Sequence, residues 1–161
     1  MRQPPRQPTL RELFEIGRDN AARIFEAHGD VSPVWHAVPE HGDHVLIATP
    51  WANDDEKDAA MDALRCLFKQ ENICRFVCVL EAWVVTASNL KTAMNTRPSQ
   101  HPDRREVIRI QAEDRDGSVL SGQYYILRPE HGPATLSKFH EDPSNITFAG
   151  RMTGLLAETR H

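Results

Sequence analysis

Residues 74–85, Cys-Arg-Phe-Val-Cys-Val-Leu-Glu-Ala-Trp-Val-Val, constrain the fold more than any other stretch of the chain. Side chains along a strand alternate between two faces. In this segment both alternating sets are apolar: Phe76, Cys78, Leu80 and Ala82 on one side, Val77, Val79 and Trp83 on the other. Such a run belongs to the middle of a sheet that is covered on both sides.

The rest of the sequence supplies the layers. Thr9 and Glu12 have the spacing of a capping box, and Leu10, Phe14, Gly17, Ala21, Ile24 and Phe25 form an apolar stripe at helical period up to a stop at Gly29. Residues 34–38 and 45–49 flank the turn-like segment 39–43 and predict an antiparallel hairpin. Asn53 opens a second helix, with Asp54, Asp55 and Glu56 at the positive end of its dipole and a stripe of Ala60, Met61, Leu64, Leu67 and Phe68.

Two more strands, at 105–113 and 118–128, are joined around Asp114 to Gly117. A two-residue turn would mix polar and apolar sides. A three-residue loop, Arg115 to Gly117, pairs Ala112 with Leu120, Ile110 with Gly122 and Ile108 with Tyr124, and sets Val107 opposite Tyr125 and Arg109 opposite Gln123. It sorts the faces and requires Gly117 to be left-handed. The fold expected is α+β, a mainly antiparallel sheet of about five strands in the chain order α-ββ-α-βββ, with both amphipathic helices packed on one face. Residues 1–8 read as a flexible lead-in and 9–161 as a single domain, with one short element expected at 148–157.

With 161 residues the chain is long enough to bury a core without a metal or disulfide. Its net charge of −4 argues against nucleic acid as a partner. The first residues lack the apolar core of a secretory signal, and no stretch approaches the length of a membrane span, so a cytoplasmic protein with no membrane partner is expected. Cys66, Cys74 and Cys78 read as buried free thiols. The phosphate-binding loop, the dinucleotide glycine fingerprint and the hydrolase nucleophile elbow are all missing from the sequence.

If both helices cover Cys78, Leu80, Ala82, Ile108, Ile110 and Tyr124, the other face carries Val77, Val79, Glu81, Trp83, Val107, Arg109, Gln111, Gln123 and Tyr125. That face calls for a cover: the C-terminal segment, a second subunit or a ligand. Glu81 stands out as a carboxylate in an apolar strand, and Arg109 is its simplest partner. The long connection at 86–104 leads up to a group of ionisable residues, His101, Asp103 and Glu106, with Arg97, Arg104 and Arg105 available to hold an anion. His36, His41 and His44 gather near one turn, but no zinc motif accompanies them and no metal or other cofactor is expected.

The reading that follows is a non-catalytic binding or assembly module that homodimerises, or binds another protein, through a Trp83/Tyr125 sheet face with Arg109, Arg97 and Arg104 around it. The alternative is a metal-assisted hydrolase or related small enzyme using Glu81, His101, Asp103 and Glu106.

Overall fold

The computed structural model describes residues 6–85, 102–143 and 155–156. The expected element at 148–157 lies outside them, apart from residues 155 and 156. Helix α1 spans Leu10–His28, and its first turn is closed by the capping box: Thr9 Oγ1 accepts from the Glu12 amide and Glu12 accepts from the Thr9 amide, both at 3.1 Å. Gly29 ends it at φ 78°, a left-handed conformation that glycine adopts without a Cβ clash. Strands β1 (Val34–Pro39) and β2 (Val45–Ala48) form the first hairpin. Helix α2 (Asp54–Gln70) follows, capped by Asn53. Strand β3 is Ile73–Val84, β4 is Arg105–Asp114 and β5 is Val119–Leu127.

Two short strands complete the sheet, β6 (Thr135–Leu136) and β7 (His140–Glu141). All pairings are antiparallel and the order is β2-β1-β3-β4-β5-β6, with β7 also pairing to β5. The α+β class and the order α-ββ-α-βββ are as the sequence implies. The β4–β5 register agrees at every expected pair, and Gly117 has φ 94°. Residues 7 and 8 are attached to the end of the sheet: Gln7 donates to the Pro39 and Glu40 carbonyls, and Arg75 donates to the Pro8 carbonyl.

The two helices do not share a face. Leu13, Phe14, Ala21 and Phe25 of α1 pack with Val77, Val79, Ile108, Ile110 and Ala112, whereas Met61, Leu64 and Phe68 of α2 pack with Trp35, Ala37, Phe76, Cys78 and Leu80. The expectation of one covered face fails on the β3–β4 register. Val79 lies opposite Ile110 and Glu81 opposite Ile108, so the odd residues of β3 share a face with the even residues of β4. That arrangement satisfies both apolar sets of β3 at once, one helix to each side. Gly17 lets α1 come close: a Cβ built there would lie 2.6 Å from Val77 Cγ2.

The cysteines also differ from expectation, because only Cys78 is buried, with Cys74 half-buried and Cys66 exposed. Pro39 pairs with Ile73 and Val38 with Arg75, which leaves Cys74 as the extra residue of a β-bulge. Burial pushes the Cys78 thiol well above its ordinary range, so it is a packing group and not a nucleophile.

Candidate functional site

The candidate residues fall into two groups on opposite sides of the sheet. Trp83 pairs with Glu106 and Glu81 with Ile108, which places Glu81, Trp83 and Glu106 on the α1 side. Val107 pairs with Tyr125 and Leu80 with Arg109, which places Arg109 and Tyr125 on the α2 side. The single face expected to hold both Trp83 and Tyr125 is therefore not formed. The expected Glu81–Arg109 ion pair fails for the same reason, since adjacent strands in this register point the two side chains in opposite directions.

The first group occupies the far end of β3, where the sheet runs past the C-terminus of α1. The chain turns from α1 into β1 above Glu81, and the Val31 amide donates to Glu81 Oε1 at 3.1 Å. Glu81 is exposed as a whole residue, but partial desolvation raises its carboxyl above its usual value, the Val31 hydrogen bond opposes that, and Asp30 and Glu106 add to the rise. Two residues on, Trp83 is 39% exposed, and the Arg104 guanidinium lies 4.8 Å from its ring centroid. This is a cation–π contact. Glu106 forms a two-point ion pair with Arg128, from Nε and Nη2 to its two carboxylate oxygens. Asp103, in the turn before β4, is exposed.

The second group is a hydrogen-bonded array across β4, β5 and β7. Arg109 Nη2 lies 2.9 Å from Asp142 Oδ2, and Ser121 Oγ donates to the same oxygen at 2.8 Å. Arg109 Nη1 donates to Gln123 Oε1, and Gln123 Nε2 donates to the Tyr125 hydroxyl, each at 3.1 Å. The Tyr125 ring is held by Arg105, 3.9 Å from its centroid, and by an edge contact with His140. Nearby, Gln111 donates to the buried Glu113. No buried side-chain nitrogen or oxygen lacks a partner among the described residues. A network satisfied in this way fixes one geometry for the sheet face.

Arg97 and His101 lie outside the described residues. Among the described residues, no three His, Cys, Asp or Glu side chains are grouped as metal ligands. No described helix is long and apolar enough to cross a membrane. Sequence reasoning missed Arg128 and Asp142. Arg128 could have been found by extending the β4–β5 register past Tyr125 towards Glu106. Asp142 could not, because it follows a two-residue strand with no periodicity to mark it.

Comparison with known proteins gives no matching family model, no matching curated protein and no matching solved structure.

Proposed function

We propose that the chain is a non-catalytic binding or assembly module and that the Trp83 end of its sheet docks a second copy of the chain. The observation that carries this reading is Trp83 itself, a large aromatic left 39% exposed at the end of a central strand and steadied by Arg104. Tryptophan and arginine are the side chains that most often dominate interface energies. The surroundings favour a like partner. Arg104 and Arg128 stand beside Glu81, Glu106 and Asp30, so the surface carries both signs of charge within a small area. A two-fold contact needs one surface to supply both halves of each polar pair.

Sedimentation of the untagged chain over a range of concentrations tests the proposal. A dimer that becomes a monomer in Trp83→Ala, with the helical circular dichroism unchanged, is the expected result. A wild-type chain that stays monomeric at high micromolar concentration, or a Trp83→Ala dimer of unchanged affinity, overturns it.

One observation favours the alternative, a metal-assisted hydrolase. Glu81 and Glu106 share an end of the α1-side face, and the Glu81 carboxyl is raised, the direction a general base requires. Under that reading, native mass spectrometry retains a divalent ion on the wild-type chain and loses it in Glu81→Gln. An identical metal content in both removes the case for Glu81 as a ligand.

A further inference from the structure

The first hairpin carries an arrangement that neither of these readings uses. His36 sits within β1, opposite Leu46 of β2 and Val77 of β3, and its ring is half-buried. His44 immediately precedes β2, whose first residue Val45 pairs with Ala37. The intervening turn is shaped by Gly42 at φ 101°. The outcome is that His36 Nε2 and His44 Nδ1 lie 2.8 Å apart.

We infer that His36 and His44 form a two-imidazole binding site for a borderline divalent transition-metal ion, of the class of Cu2+, Ni2+ or Zn2+. Imidazole nitrogens bind such ions at about 2.0–2.1 Å, so two of them in adjacent coordination positions, about 90–109° apart at the metal, are separated by roughly 2.8–3.4 Å. The observed separation lies at the near end of that range. The hairpin holds the rings end to end, with centroids 5.0 Å apart, so binding keeps the strand pairing and needs only that both rings turn until their nitrogens converge on one ion.

Protonation agrees with the geometry. Metal binding needs neutral imidazole. Burial, and then the neighbouring His44, lower the His36 pKa, the direction that favours the neutral ring. In the metal-free pair one facing nitrogen donates a proton to the other. For both to bind metal, that proton leaves the shared position and moves to the far nitrogen of its own ring. Exposed His44 can make this change of tautomer through water. Since no third His, Cys, Asp or Glu joins them among the described residues, water completes the coordination shell.

The test uses the full-length chain without an affinity tag, stripped with chelator and titrated with Cu2+ alone. One ion per chain is expected at the tightest site, with an electron paramagnetic resonance spectrum showing two coordinated imidazole nitrogens. Ni2+ and Zn2+ should compete more weakly than Cu2+. His44→Gln should weaken binding at least about tenfold and remove one nitrogen from the spectrum, while His41→Gln should leave both unchanged. His36→Gln should match His44→Gln. If the half-buried His36 variant fails to fold by circular dichroism, exposed His44 decides alone. Unchanged affinity in His44→Gln, loss of the site in His41→Gln, or no stoichiometric site in the wild type overturns the inference.

Discussion

One side of the sheet has two halves that are built differently. Under α2, the β1–β3 half is dry: Trp35, Phe68 and Phe76 contact one another at ring separations of 5.2–6.3 Å, with Ala37, Cys78 and Leu64 around them. On the next strands, β4 and β5, and just after β7, the same face carries Arg109, Gln123, Tyr125, Ser121 and Asp142, joined by hydrogen bonds instead of apolar packing. The comparison shows that one continuous sheet face can be stabilised by area in one place and by a hydrogen-bonded polar network in the other. The dry half draws its stability from surface removed from water. The polar half contributes less net energy but demands one arrangement of its side chains, because removing one member takes a hydrogen bond or counter-charge from its half-buried neighbours.

The largest expected effect separates the two halves. Trp35→Ala opens a cavity beneath α2, where the indole is fully buried, and should cost about 3–5 kcal/mol in denaturant unfolding. A smaller loss would mean that α2 collapses into the space and that the packing there is loose. Next in size is the Arg109–Asp142 pair, whose side chains are 18% and 19% exposed. Asp142→Asn or Arg109→Met alone should cost about 1–3 kcal/mol. The double variant should lose much less than the sum of the two. Simple additivity in that cycle would show that the network is not coupled.

The smallest effect lies at Glu81 and is read as a pH dependence. Its folded carboxyl titrates above the usual value of 4.5. In the window just above 4.5 the native chain therefore holds a proton that the unfolded chain has released, and stability falls as pH rises through it. Glu81→Gln keeps an oxygen to accept from Val31 but removes this slope. The variant should gain on the wild type above the window and match it below pH 4.5, in unfolding curves measured from pH 4 to 8. Equal slopes would mean that folding does not raise the Glu81 carboxyl.

Much of this architecture is legible in the sequence wherever a short local rule applies. Thr9, Glu12 and Gly29 mark α1 by its own hydrogen bonds, and Gly117 with the alternation around it sets the β4–β5 register residue by residue. The β3–β4 pairing is different. A long connection joins these strands, so no tight turn fixes which residues meet, and a shift of one residue reverses every face. That one ambiguity put α1 and α2 together, joined Trp83 with Tyr125 and gave Glu81 the wrong partner. Strands β6 and β7, two residues each, are too short to carry a period. Asp142 enters the polar array only through them.

The most direct test of the assembly reading is hydrogen exchange of the wild-type chain at low and at high concentration. Concentration-dependent protection is expected around residues 81–85 and 104–107, with the backbone near Tyr125 and under α1 unchanged. Protection near Tyr125 instead, or exchange independent of concentration everywhere, would contradict the claim that the Trp83 end joins two copies of the chain.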